Sequence, residues 1–328
     1  MNASFGPFVV IAVGIIAGFL FRRSGRFPAE TPRVLNAYVI AIALPAVVLS
    51  ELPRFLRDLA AHRDRVDAAL IFLPLIPWLI FGVAILFFGL LYRAGLIRRD
   101  QWGLLALAGG LGNTSFVGIP LLEALLGPDK IPLAVLLDQL GTFLVLAVGG
   151  TLWISYFHAT SGHSASGAPK SFSVRKFFSD LFHFPPFLAL LIAFGVAPLG
   201  DFPSMIQSAL GRIAATLVPV AMVSVGAQLK PDLKMIRHEG RGLTLGLAYK
   251  MVLAPLMIYG IAAGIFHFQG DALNVGVLEA AMAPMITATV LGIEAGFAPN
   301  LGALILGIGI PLSLVTVPLL SHLWFHSP

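Results

Sequence analysis

The chain contains no cysteine, which removes disulfides, thiolate nucleophiles and cysteine-ligated metals from consideration. It is also poor in charge. Only 11% of its 328 residues are Asp, Glu, Lys or Arg, where a water-exposed surface needs roughly a quarter to a third. No soluble domain can be built on that composition. What the chain has instead is 58% apolar residues and 34 glycines, in long runs that lack the ~10-residue alternation of an outer-membrane barrel. Helices are the other structure that satisfies its own backbone in lipid, so the sequence predicts an all-α polytopic membrane protein. The eight histidines fall mainly in loops or at run ends without metal-ligand spacing. There is no Walker loop for ATP and no constellation of catalytic side chains. The expectation is therefore no enzyme, no metal and no cofactor. The net charge of +5 sits in loops and speaks to membrane orientation, not to nucleic acid.

A helix needs about 20 mostly apolar residues to cross the hydrocarbon. Ten runs qualify: 5–21, 34–52, 68–92, 101–126, 131–157, 184–200, 204–229, 241–267, 272–296 and 299–324. With the first run starting outside, the inner loops carry Arg22, Arg23, Arg26, Arg33, Arg93, Arg98 and Arg99 in the first half of the chain. Lys170, Arg175, Lys176, Lys230, Lys234, Arg237 and Arg241 follow in the second. The outer loops carry only Arg54, Arg57, Arg63, Arg65 and Lys130. That asymmetry predicts both termini periplasmic and the link 158–182 cytoplasmic, in a bacterial inner (plasma) membrane. The exception is the outer loop 54–67, where Asp58, Asp64 and Asp67 offset the basic residues and the pattern fits an amphipathic surface helix.

Five spans, a hydrophilic link and five more spans suggest two halves, 1–157 and 183–328. An odd number of crossings per half makes the halves run oppositely through the bilayer. Leu44-Pro45-Ala46-Val47-Val48 echoes Val218-Pro219-Val220-Ala221-Met222, and Pro77 echoes Pro255. Inverted repeats with interruptions at matching places are the signature of a secondary transporter with its site near the midplane. The fourth span holds such an interruption, Gly109-Gly110-Leu111-Gly112-Asn113-Thr114-Ser115-Phe116-Val117-Gly118-Ile119-Pro120. Pro120 lacks an N–H and disfavours helix at Ile119. Asn113, Thr114 and Ser115 offer hydrogen bonds where bare backbone costs several kcal/mol per group. The ninth span holds Ala280-Ala281-Met282-Ala283-Pro284-Met285-Ile286-Thr287-Ala288-Thr289. Two broken helices would leave free N–H groups at the start of each second half, a place that favours an anion. A plain proline kink is the alternative for each.

Ionisable side chains inside a span are functional candidates by default. Glu123, just past Pro120, either caps the second half-helix or binds a proton or cation. Asp138 and Gln139 are neighbours in the fifth span, and one of them should face the interruption. Lys250, in the eighth span, either snorkels to the inner face or pairs with Asp138 or Glu123 and attracts an anionic substrate. Glu279 and Glu294 flank the second interruption and read as lying nearer the interfaces. Glu123, Asp138 and Glu279 also supply oxygens suited to a sodium ion.

The string Gly112-Asn113-Thr114-Ser115-Phe116-Val117-Gly118-Ile119-Pro120-Leu121 resembles the Gly-Asn-Thr…Gly-Ile-Pro-Leu signature of the auxin efflux carrier family. That family includes the plant PIN auxin exporters and bacterial carriers of organic acids, and the short link 158–182 resembles its bacterial branch. The resemblance implies the fold shared with bile-acid/sodium symporters. Spans in 5–52 and 184–229 would form a scaffold, those in 68–157 and 241–324 a mobile transport domain, with broken helices 4 and 9 crossing. A homodimer through spans 2 and 7 is implied as well. Asn113, Pro120 and Pro284 match the family's crossing positions. Gln139 resembles a polar position facing the substrate, and Ser50 a scaffold serine lining the site. The second crossing offers only Thr287 and Thr289 where relatives often carry an asparagine. These readings together predict a secondary active exporter of small organic anions such as carboxylates or auxin-like acids, working by elevator-type alternating access. Asn113, Thr114, Ser115, Gln139, Thr287 and Ser50 would contact substrate beside Pro120 and Pro284. Glu123, Asp138, Lys250 and Glu279 would serve proton or sodium coupling. A sodium-coupled organic-anion symporter and a non-transporting membrane ligand sensor are the alternatives.

Overall fold

A computed structural model describes residues 6–61, 68–159, 182, 184–228 and 233–325. Most of the link 158–182 and residues 62–67 of the outer loop lie outside that set, as does the first run's start. Among the described residues every regular element is helical. The first four are α1 (Gly6–Arg23), α2 (Thr31–Ala61), α3 (Ala68–Arg93) and α4 (Arg99–Gly110). The next four are α5 (Thr114–Leu126), α6 (Pro128–Ala159), α7 (Pro185–Leu199) and α8 (Ser204–Gln228). The last four are α9 (Arg237–Ile265), α10 (Asp271–Ala280), α11 (Ile286–Glu294) and α12 (Pro299–Phe325). Six of these, α2, α3, α6, α8, α9 and α12, are long and apolar enough to cross a bilayer singly. The outward faces agree. Leu86, Leu90, Ile71 and Leu323 are each more than 60% exposed, an apolar surface that water would penalise and lipid accepts.

The expected second span ends near Leu52, but α2 runs on through Pro53 to Ala61. The extension is held from outside the helix. The Arg57 guanidinium donates to the Gly200 carbonyl at 2.8 Å and pairs with Asp201. Residues 54–61 thus continue a spanning helix and do not lie on the surface as a separate one. Three other polar contacts tie loops together. Arg98 meets Glu239 at 3.0 Å, Lys130 meets Asp271 at 2.8 Å, and the His158 ring meets the Ala295 carbonyl at 3.0 Å. Each joins two loops, or helix ends beside them, that the charge pattern assigns to one membrane face. The Gly127 turn before α6 has φ of +96°, a conformation that only glycine adopts without strain.

The helices sort into two packed groups. The first is α1 on α8 and α2 on α7 and α8. In the second, α3 lies on α4, α4 on α11 and α9 on α12. The groups meet where α5 touches α1 and α8, and where α2 touches the start of α6. The seam between α1 and α8 is backbone against backbone. A Cβ built on Gly14 would lie 2.7 Å from the Met222 Cβ, one on Gly18 would lie 2.8 Å from the Ala227 nitrogen, and one on Gly226 would lie 2.8 Å from Ile15 backbone. Small residues spaced by a helical turn permit this approach and its dense van der Waals contact. The similar Gly260…Gly264 pair in α9 faces open space, with no atom within 4 Å of either added Cβ.

Gly226→Val should therefore force α1 and α8 apart and cost about 3 kcal/mol, the upper end for overpacking, because backbone cannot rotate away as a side chain can. Gly260→Ala should cost nothing and gain helix propensity. Thermal unfolding of the detergent-solubilised protein separates the two, and equal Tm values for both variants would refute the seam's importance.

Candidate transport site

Both sequence interruptions are true breaks in helix. α4 stops at Gly110 and α5 starts at Thr114; α10 stops at Ala280 and α11 starts at Ile286. The two unwound stretches lie against each other and pair like a short antiparallel ladder at Gly112 and Pro284. The Asn113 N–H donates to the Ala283 carbonyl at 2.7 Å, and the Met285 N–H donates to the Leu111 carbonyl at 2.9 Å. Each break thus supplies partners that the other lost by leaving the helix. Proline suits position 284, where the ladder makes no demand on its nitrogen.

Asn113 caps α5, its Oδ1 accepting from the Phe116 N–H at 3.3 Å. Its carbonyl accepts from the Val117 and Gly118 N–H groups at 3.3 and 2.9 Å, so α5 opens on a widened turn of i→i+5 bonds. Such turns cluster at functional sites. The Asn113 Nδ2 is buried with no hydrogen-bond partner. A second widened turn, Leu137–Thr142 in α6, buries Asp138 and Gln139 together, at 2% and 1% exposure. Of the two, Asp138 is the one that meets residues at the break, Thr114 and Ser115. Asp138 gathers three donors. Thr114 Oγ1 donates to it in a short contact, Ser115 Oγ at 2.6 Å and Gln139 Nε2 at 2.6 Å. Thr114 and Ser115 are therefore committed to Asp138. Gln139 is left with a buried, unpaired Oε1, and the Thr142 hydroxyl nearby is unpaired as well.

Lys250 does not snorkel. It sits on a widened turn of α9, Tyr249–Leu253, and is 1% exposed. Its Nζ lies 2.9 Å from where a Cβ on Gly112 would be, and the Glu279 carbonyl oxygen lies 3.2 Å from the same point. Glu279 is likewise central and not interfacial. It stands in the last turn of α10, 1% exposed, with its carboxylate 2.5 and 2.7 Å from where a Cβ on Gly118 would be. Both of its carboxylate oxygens lack a hydrogen-bond partner. Glycine at 112 and 118 is what gives these two side chains room. Gly110, Gly112, Thr114, Thr142, Lys250 and Glu279 help line a cavity of about 10 Å³, which holds roughly one water.

Among the described residues, Ser50, Glu123 and Thr287 share no hydrogen bond with this cluster. The Ser50 hydroxyl is spent on the Val47 carbonyl and on Glu51 at 3.2 and 3.1 Å. Glu123 is half-buried within electrostatic reach of Glu51. Thr287 is exposed, whereas Thr289 is buried and donates back to the Met285 carbonyl at 2.8 Å. Sequence reasoning missed a polar knot at the start of α4. There Gln101 accepts from the Arg98 N–H at 2.9 Å and donates to Glu239 at 2.7 Å. The signal was present, since Gln101 stands three residues after the loop end, where capping boxes place such a residue.

Asp138→Ala leaves two hydroxyls and an amide without an acceptor, each worth about 1–3 kcal/mol when buried. Its Tm should fall well below that of Asp138→Asn, which keeps an acceptor oxygen for Thr114 and Ser115. Equal Tm values for wild type and Asp138→Ala would show that the carboxylate holds nothing in place.

Comparison with known proteins fits this architecture. A family model described as membrane transport protein matches residues 3–321. An uncharacterized transporter of Methanothermobacter thermautotrophicus is 28% identical over 316 residues, 95% of either chain. Another from Methanocaldococcus jannaschii is 24% identical over 293 residues, 87% of either chain. With a matching family model over nearly its whole length and paired helix breaks, the first carrying the Gly-Asn-Thr…Gly-Ile-Pro-Leu string, this chain belongs to the auxin efflux carrier family of membrane transport proteins.

Proposed function

We propose that the protein is a secondary active exporter of small organic anions, carboxylates or auxin-like acids, working by alternating access. The observation that carries this reading is the paired break. Two helices that end in mid-chain place two helix starts, α5 and α11, beside an unpaired buried donor, the Asn113 Nδ2. Helix starts and amide donors favour a carboxylate. In this reading Asn113 grips the substrate directly, beside Pro120 and Pro284. Asp138 holds Thr114, Ser115 and Gln139 in register behind it, and Thr287 and Ser50 line the approach.

The ten-span inverted arrangement belongs to the same reading. It is supported by the loop contacts that pair Arg57 with Gly200 and Asp201, Lys130 with Asp271, and Arg98 with Glu239. So does the division of labour, with α1, α2, α7 and α8 as scaffold and α3–α6 with α9–α12 as the moving unit. That division follows the two packing groups. Movement is a requirement in this reading. A cavity of about 10 Å³ is far below the ~300 Å³ of small-molecule sites, so one group must shift against the other, elevator-fashion, to admit a substrate. The protein sits in the bacterial inner (plasma) membrane with both termini periplasmic, and two copies pair through α2 and α8.

The test is counterflow of a labelled organic acid in proteoliposomes, after a thermal-shift screen of carboxylates has picked the acid. A ligand at 100 times its Kd adds about 2.7 kcal/mol of apparent stability. Counterflow is expected. Binding without counterflow would mark a sensor. Asn113→Ala should weaken uptake roughly 10- to 100-fold, the loss of one hydrogen bond to a charged group, in protein that still folds but has lost the α5 cap, worth about 1 kcal/mol. Unchanged uptake would remove Asn113 from the site.

A further inference from the structure

We propose that the Glu279 carboxyl is the carrier's proton site, and that an organic anion bound at Asn113 crosses together with that proton. The inference rests on reading the paired breaks as the transport site and names the ion which that site couples.

Two acids are buried at the crossing, and their surroundings differ. Asp138 has three donors, Thr114, Ser115 and Gln139, to solvate a charge. Glu279 is 1% exposed and has none. Neither of its carboxylate oxygens meets a hydrogen-bond donor, the Lys250 ammonium included. The ammonium lies against Gly112 and the carboxylate against Gly118, two different glycines of the first interruption. A carboxylate stripped of water and given no donor persists as the neutral acid, which it becomes by taking a proton on one oxygen. Among the described helices packed on α10, α9 brings Lys250 within electrostatic reach of Glu279 and α6 brings Asp138, while α3, α5 and α12 bring no charge to it. Those two opposite charges act against each other at Glu279, so the missing donors decide.

The place of the carboxyl links the proton to the substrate. It covers Gly118 in the widened first turn of α5, and the Gly118 N–H returns to the Asn113 carbonyl at 2.9 Å. A substrate carboxylate on the Asn113 amide and a charge on Glu279 would therefore flank a single turn of helix. Two like charges so placed, in a site shut off from water, cannot both persist, and such a pair holds one proton. The anion thus binds when Glu279 is protonated. Glu279 also helps line the cavity of about 10 Å³ with Thr114, Thr142 and Lys250, which gives the acid room for roughly one water as it gains or loses its proton. One proton and one monocarboxylate together carry no net charge, so their passage is indifferent to membrane voltage.

Infrared spectra of the purified full chain, in a detergent without ester groups, read the proton directly. At neutral pH wild type should show the carbonyl stretch of a protonated carboxyl. Glu279→Gln should lose that band, and Asp138→Asn should keep it. Glu279→Gln imitates the neutral acid and should match wild type in Tm at neutral pH. In proteoliposomes, flux of a monocarboxylate picked by the thermal-shift screen should acidify the receiving side by one proton per anion. Its rate should hold when a potassium diffusion potential is imposed. Glu279→Gln should move the acid without the proton, at a rate that follows the voltage. A wild-type spectrum with no Glu279-dependent band would overturn the proposal, as would an acid flux that moves no protons. A Glu279→Gln that fails to fold would overturn it too, because the site would then need the charge. The infrared and Tm readings are taken with no acid present. A failure to find a transported acid therefore leaves them standing, and a missing band leaves the exporter reading standing.

Discussion

Two backbone hydrogen bonds hold the centre of this protein together: Asn113 to Ala283 and Met285 to Leu111. In hydrocarbon an N–H or C=O that leaves a helix has no water to turn to, and each orphan costs several kcal/mol. A single broken helix in this position would be expensive. Two broken helices set against each other share the cost by lending partners in both directions. The widened first turn of α5, the cap from Asn113 and the donors collected by Asp138 all secure the edges of that exchange. Bare glycine at 112 makes room for Lys250, and bare glycine at 118 makes room for the Glu279 carboxylate. The polar cluster is thus built outward from a main-chain contact.

How much of this the amino-acid sequence announces differs from part to part. Six of the predicted spans appear as single long apolar helices, because length and hydropathy act over about 20 residues and average out local ambiguity. The first break is legible because glycine, asparagine, threonine, serine and proline accumulate where leucine would otherwise stand. The second has Pro284 and little else. Its meeting with the first is invisible in side-chain patterns because main-chain atoms make it. Lys250 was ambiguous for a physical reason: a four-carbon stem reaches either the interface or the interior, and only packing decides. Glu279 was misplaced towards the interface because α10 ends at Ala280, and that end lies buried at the crossing.

Asp138 and Gln139 illustrate a further limit. In a regular helix neighbouring side chains point about 100° apart, the angle implied by 3.6 residues per turn, so a sequence reader must choose between them. The widened turn over Leu137–Thr142 removes the choice and turns both inward. Side chains alone would not reveal such turns, since hydrogen-bond register is a property of the fold. The Ser50 hydroxyl is taken up by Val47 and Glu51, and Thr287 is exposed.

The glycine seam between α1 and α8 sets where the molecule can deform. Side chains that interlock can exchange rotamers and let one helix creep along another. Main chain pressed on main chain has no such freedom, so α1 and α8 behave as one girder. In the proposed exporter, sliding would be taken up along the track where α5 rests on that girder, and the track's gradient would set how far a cargo travels in each stroke.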